Sequence, residues 1–298
     1  MKNSDIRFAF FGTPLFSVRV LDSLERNGFV PALIITAPEK ARGRGLETSP
    51  SPSKAWALER GIDVLEPKTL KGEEIAAELE NTDWDCFCVA AYAKLIPKSI
   101  LEIPRKGCLN VHPSLLPKFR GPSPALSAIL ADERQSGVSI MLMDEEMDSG
   151  PVLAQARIEI PEEEWPPRGS VYEDLLATEG GNLLVETMPL WLAGELTPEP
   201  QDEGAATYTK KFTDEDAHIS LADVSRAREN FLKIKAFDKG PRAWAEFERG
   251  GKKIRVVITD AEWMNDVLKI TRVIPEGKKE MGYADFLRGG AKPQPLDK

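Results

Sequence analysis

Residues 6–28 read IRFAFFGTPLFSVRVLDSLERNG, and their reading decides the fold. Ile6–Phe11 is apolar apart from Arg7, as a strand covered on both faces requires. Gly12-Thr13-Pro14 turns the chain, with Thr13 placed to cap a helix and Pro14 to take its first position. Phe16, Val20, Leu21 and Leu24 then recur at helical spacing, and Asn27-Gly28 supplies the stop. A buried strand, a tight turn and an amphipathic helix are how an α/β sheet begins.

Working outward, the pattern predicts further strands at 32–36, 86–91, 108–111 and 138–143. It predicts helices near 53–60, 73–80, 123–131 and 171–192. Strands separated by such helices imply a Rossmann-like, mostly parallel sheet with helices on both faces. Between Gly194 and Gly204 the segment ELTPEPQDE is acidic and proline-bearing, as in a linker. Beyond it the pattern changes to a helix around 221–235 and β-like stretches at 243–247, 253–259 and 267–273, the first two joined through Gly250-Gly251. Three regions follow: a catalytic domain over 1–187, a linker over 188–206, and a smaller β-rich domain over 207–298.

The chain has 298 residues, 42% hydrophobic and 29% charged, enough for a substantial core. No apolar run nears the roughly 18 residues that span a bilayer. MKNSDIRFAFFGTP passes straight into the first strand without a cleavable signal pattern, so a cytoplasmic location is expected. The three cysteines, Cys86, Cys88 and Cys108, form neither a paired framework nor a C-x-x-C motif; a reducing compartment and no metal site are expected. The net charge is −9, yet from Ala205 onward 19 Lys and Arg face 15 Asp and Glu. A mildly basic tail domain on an acidic body can dock a polyanion locally, because binding follows the local field.

The chain carries two histidines, and one lies in 110–121, NVHPSLLPKFRG. If the strand continues through Asn110 and His112, both side chains point to one face, because strand side chains alternate. Ligands of open α/β sheets bind outside the carboxyl ends of the strands, where these residues fall. The next strand ends in 143–151, MDEEMDSGP, which brings Asp144, Glu145, Glu146 and Asp148 to the same rim. An amide, an imidazole and a carboxylate then converge without a metal. Spacing alone equally allows His112 as a hydrogen-bonded core residue and Asp148 as a turn former before Gly150.

NVHPSLLPKFRG followed by MDEEMDSGP resembles the signature of the formyltetrahydrofolate-dependent formyltransferases. FAFFGTPLFSVRVLDSL, ARGRGLETSPSPSK, VAAYAKLIPKSIL, ATYTKKFTDEDAHI and LKITRVIPEGKKEMGYADFLRGG extend it over nearly the whole chain, towards members acting on methionyl-tRNA. The resemblance implies the formyltransferase fold with a C-terminal OB-like, tRNA-binding domain. It implies transfer of a formyl group from 10-formyltetrahydrofolate to the amino group of initiator methionyl-tRNA, with Asn110, His112 and Asp148 catalytic. Asn110 and a protonated His112 would donate to the oxyanion, and Asp148 would help move the amine proton. It assigns folate contacts to Ser114, Leu115, Leu116, Pro117, Tyr92, Ile96, Pro97 and Asp144. It assigns tRNA contacts to Arg42, Arg44, Lys210, Lys211, Lys278 and Lys279. A monomer without a membrane partner is expected. Three departures stand out: Pro113 after the histidine, Ala93 where the family has glycine, and a second domain short for a full barrel. A formyltransferase acting on a 4-amino-sugar nucleotide, which shares the trio, is the alternative.

Overall fold

A computed structural model describes residues 5–38 and 49–293. Arg42 and Arg44 lie outside the described residues. The elements run β1 (Phe8–Gly12), α1 (Leu15–Arg26), β2 (Leu33–Ile35), α2 (Pro52–Leu58), β3 (Asp63–Leu65), α3 (Glu73–Glu80), β4 (Cys86–Ala90) and α4 (Lys98–Leu101). Then follow β5 (Cys108–His112), α5 (Pro124–Leu130), β6 (Ser136–Leu142), β7 (Val152–Ile158) and α6 (Gly169–Ala193). Seven strands form one sheet in the order β3-β2-β1-β4-β5-β6-β7. Pairing is parallel from β3 to β5 and antiparallel from β5 to β7.

The sheet is buried on both faces because its central strands are apolar on both sides. Phe8, Phe10, Cys86, Cys88, Leu109 and Val111 meet Val20, Leu21 and Leu24 of α1 and Leu184 and Met188 of α6. On the opposite face Ala9, Phe11, Phe87, Val89 and Cys108 meet Ile75 and Leu79 of α3 and Ile100 and Leu101 of α4. A side chain at Gly180 would come within 2.4 Å of Val111 Cγ1, so α6 lies against β5 where only glycine fits.

The expected cap at Thr13 is corrected. Helix α1 takes Pro14 as its N-cap, with no side-chain cap. Thr13 Oγ1 instead accepts from the Ala37 amide at 3.2 Å, because the end of β2 lies beside it. Ser17 takes over the turn: its Oγ accepts from the Thr13 amide at 2.9 Å and donates to the Ala90 carbonyl at 2.7 Å. That contact joins β1, α1 and β4 at the rim.

The chain divides into two compact units that interleave in sequence. The first comprises 1–124, 135–159 and 173–209; the second comprises 125–134, 160–172 and 210–298. Residues 188–206, expected as a linker, belong with the first unit, where Val152 and Glu199 exchange backbone hydrogen bonds of 2.8 and 2.9 Å. In the second unit, α7 (Ala227–Ala236) packs on the antiparallel sheet β11-β10-β9-β8-β12. Its strands are β8 (Trp244–Arg249), β9 (Lys252–Met264), β10 (Val267–Pro275), β11 (Met281–Gly282) and β12 (Ala291–Pro293), with α8 (Tyr283–Arg288) before the last. Gly250 and Gly251, both at positive φ, close the β8–β9 hairpin as anticipated. Asp132 anchors the early segment of this unit, accepting from Trp165 Nε1 at 2.7 Å and from Arg228 at 2.8 and 2.9 Å. The β-rich second domain is therefore an open five-stranded sheet among the described residues, consistent with a reduced OB-like form.

Candidate active site

Strand β5 carries Asn110 and His112 on one face, opposite Met141 and Ser139 of β6. The two are only 8% and 3% exposed. Asp148 sits on the connection between β6 and β7, and the structure brings all three together. Its Oδ1 accepts from Asn110 Nδ2 at 3.5 Å, and its Oδ2 stands 3.7 Å from His112 Nδ1. The second ring nitrogen, Nε2, is 3.0 Å from the Phe119 carbonyl. Nε2 is therefore within hydrogen-bond reach of a carbonyl, and Nδ1 lies beside a carboxylate at more than hydrogen-bond distance, so the ring is oriented by polar neighbours on both sides.

Asp148 owes its place to local backbone geometry. Its φ is 53°, a left-handed conformation that costs a non-glycine residue about 1–3 kcal/mol. The Asp144 carboxylate bends the loop before it, accepting from the Glu146 amide and from Ser149 Oγ, both at 3.0 Å. Just after it, Gly150 passes so close to β6 that a Cβ would lie 1.9 Å from the Leu142 carbonyl oxygen. The Gly121 amide then donates to Asp148 Oδ2 at 2.8 Å. Asp148 therefore turns its two oxygens towards the N–H donors of Asn110 and Gly121, with the His112 ring beside Oδ2.

The expected folate-side residues fall into two groups. Ser114 is fully buried, its Oγ donating to the Lys118 carbonyl at 2.6 Å, and Leu116 is buried too. That segment is sewn to β6 and β7, with Ser139 Oγ accepting from the Leu116 amide at 3.0 Å and Gln155 donating to the Leu116 carbonyl at 2.8 Å. Leu115 and Pro117 stay half-buried. In the other segment Ile96 is buried and Pro97 opens α4. Tyr92 lies edge-on against Phe11, its buried hydroxyl without a hydrogen-bond partner among the described residues, and burial pushes its pKa up to about 12. Leu95 beside it is 67% exposed, and Met147 on the Asp148 loop is 62% exposed. An unpaired phenol and exposed apolar side chains fit a flat, partly polar ring system.

In the second unit Lys211, Lys278 and Lys279 are exposed, the last two following Gly277 in the turn after β10. Lys210, expected free to meet phosphate, is exposed and ion-paired with Asp216 across a short turn. Among the described residues no group of three His, Cys, Asp or Glu side chains could hold a metal ion. Nor is any described helix long and apolar enough to cross a membrane.

Sequence reasoning missed Phe119 and Gly121, which act through backbone atoms, and Arg120 between them. Arg120 is 1% exposed. Its guanidinium bonds to both Glu203 oxygens at 2.7 and 3.0 Å and to Gln201 Oε1 at 3.0 Å. Hydrogen bonding to Glu203 raises the Arg120 pKa, and the same contact holds the Glu203 carboxyl below its usual range. The only available signal was the FRG tripeptide closing the quoted motif.

The chain is similar to known proteins in both sequence and fold. The formyl transferase family model matches residues 6–188. The methionyl-tRNA formyltransferase of Chloroflexus aggregans is 35% identical, over 97% of this chain and 99% of its own length. Among solved structures, the methionyl-tRNA formyltransferase of Clostridium thermocellum aligns with a TM-score of 0.59 at 16% identity, covering 93% of this chain and 99% of that one. A sugar N-formyltransferase from a Shewanella species aligns at 0.61 with 18% identity, covering 83% and 95%. Matched over more than half its length by the family model, and over nearly all of it by a relative above 30% identity, the chain belongs to the formyl transferase family.

Proposed function

We propose that the protein transfers the formyl group of 10-formyltetrahydrofolate to the free amino group of initiator methionyl-tRNA, giving N-formylmethionyl-tRNA for translation initiation. The observation that carries this reading is the convergence of Asn110, His112 and Asp148 in a chain 35% identical, end to end, to a methionyl-tRNA formyltransferase. The folate supplies an electrophilic formyl carbon. Asn110 Nδ2 and the His112 ring are donors for negative charge developing on a carbonyl oxygen, the most powerful single device for acyl transfer. Asp148 orients both donors through its two carboxylate oxygens. Asp148 is also the group able to take a proton from an attacking amine, directly or through water. Asn110, with no titratable proton, orients and stabilises charge.

Leu115, Pro117, Tyr92 and Leu95 would hold the folate ring, with Ser114, Leu116, Ile96 and Pro97 fixing their backbone and Asp144 shaping the loop. The second unit would grip tRNA through Lys211, Lys278 and Lys279, and the Arg42–Arg44 segment would contact the acceptor end; the enzyme would act in the cytoplasm as a monomer. The amino-sugar reading draws on two observations, the likeness to a sugar N-formyltransferase and the proline after His112. One experiment separates the two. The enzyme is given 10-formyltetrahydrofolate with either methionyl-tRNA or a 4-amino-sugar nucleotide, and the formylated amine is identified. Formylation of the sugar nucleotide alone rejects the proposal.

A further inference from the structure

The segment from Glu199 to Thr209 overlaps the stretch expected as a linker, yet it is bonded to the candidate site at several points. Gln201 Nε2 donates to the Asp148 carbonyl at 2.9 Å and to the Gly150 carbonyl at 2.7 Å. Its Oε1 accepts from Arg120 Nε at 3.0 Å. Two carbonyls on one side and a guanidinium on the other leave the carboxamide a single orientation, so both ends are used. Arg120 is anchored in turn by Glu203 and, at 3.2 Å, by the Tyr208 hydroxyl. Its backbone is held as well: the Arg120 amide donates to the Thr207 carbonyl at 2.8 Å, and the Thr209 amide donates to the Arg120 carbonyl at 2.7 Å. The Phe119 amide donates to Thr207 Oγ1 at 2.8 Å.

These contacts converge on the two atoms that fix the catalytic pair. Residue 119 supplies the carbonyl that receives His112 Nε2, and residue 121 supplies the amide that donates to Asp148 Oδ2. Arg120, between them, is tied to Gln201, which grips the backbone of Asp148 itself. We propose that Gln201, acting with Arg120, is a positioning residue that sets the separation of Asp148 from His112. The inference rests on the reading of Asn110, His112 and Asp148 as the catalytic group. Gln201 touches none of the three side chains; it acts on the backbone that carries one of them. Asp148 sits in a left-handed conformation between the rigid β6 and β7, so without the clamp its loop can relax towards a commoner backbone geometry.

The test uses Gln201→Met, which keeps the volume and loses both hydrogen-bonding ends. Gln201→Glu, which keeps the acceptor for Arg120 and loses both donors, reads the clamp where the first variant does not fold. Because the chain has only two histidines, ring signals of 15N-histidine-labelled protein separate His112 from His218. A misplacement of about 1 Å lowers turnover on the order of tenfold to hundredfold, so kcat should fall by that much. The KM values should stay within about twofold, since the clamp touches neither substrate. The His112 ring signals should move at fixed pH while those of His218 stay. Wild-type kcat in the folded variants overturns the proposal, as does a kcat loss with His112 signals unmoved. Should the wild type formylate no methionyl-tRNA, it is the functional reading that falls. The His112 signals then decide the clamp alone: movement upholds it and constancy rejects it.

Discussion

Asp148→Asn is the substitution on which the reading of the site turns. In the native site Oδ1 faces Asn110 Nδ2 at 3.5 Å, while Oδ2 faces the Gly121 amide at 2.8 Å and His112 Nδ1 at 3.7 Å. The Asn110 and Gly121 partners are both N–H donors. A carboxylate accepts on both oxygens; a carboxamide accepts on one and donates from the other. Whichever way the new side chain turns, its NH2 meets a donor. Turned towards Asn110, it forces that amide to present its oxygen and removes the donor meant for substrate. Turned towards Gly121, it faces the backbone N–H with another donor and leaves that amide unsatisfied. The variant also loses the group that can accept a proton. The loss of one such donor costs about 10²–10³ in kcat, or about 2.7–4 kcal/mol, and the expected fall is at least that large. The fold should survive, because asparagine tolerates a φ of 53° as readily as aspartate. One broken hydrogen bond costs about 1 kcal/mol. Melting should therefore fall by only about 2–4 °C. Steady-state kinetics with saturating folate and methionyl-tRNA, alongside thermal melts, measure both. A folded variant with kcat within about threefold of wild type would refute the assignment of roles.

Other outcomes follow from the same structure. Gly150→Ala puts a Cβ 1.9 Å from the Leu142 carbonyl oxygen, which neither strand can relieve, so loss of soluble protein or destabilisation above about 4 kcal/mol is expected in denaturant titration. Lys278→Ala and Arg42→Ala should each raise the KM for methionyl-tRNA and flatten its salt dependence, leaving the folate KM unchanged; kinetics at two ionic strengths would expose them as plain solvated charges if nothing moves. In the second unit Asp132, Asp214, Asp216 and Glu229 are held below the usual carboxylate range, chiefly by hydrogen bonds from Arg228, Arg255, Lys210 and Arg226. A lowered folded-state pKa contributes stability that is full above the ordinary values of about 4 and lost as pH falls through the lowered ones. Melting temperature should hold from about pH 7 to 5 and drop steadily below about pH 4; a flat profile there would show these pairs to be too solvated to matter.

The elements of the first unit were legible because their signals are local. Four apolar residues in a row, a Gly-Thr-Pro turn and a helical stripe identify β1 and α1 without reference to anything distant, and the same holds for α3, β4 and β5. The hairpin at Gly250-Gly251 was legible because two consecutive positive φ values demand glycine or its nearest substitutes. Asn110 and His112 on one face followed from strand alternation alone. Edge strand β7 escaped notice, since Gln155 and Arg157 on its open face dilute the apolar run. The early segments at 125–134 and 160–172 join the second unit through ion pairs and hydrogen bonds that cross large sequence separations. Tertiary structure alone decided how Asp148 meets the pair on β5. Its approach depends on a left-handed backbone, on a glycine pressed against a carbonyl, and on main-chain atoms of residues 119 and 121. Backbone carbonyls and amides carry no side-chain signature. The Gln201–Arg120 contact, spanning 81 positions, leaves none either: a sequence names which groups a chain owns, and only the folded backbone decides which of them come within 3 Å.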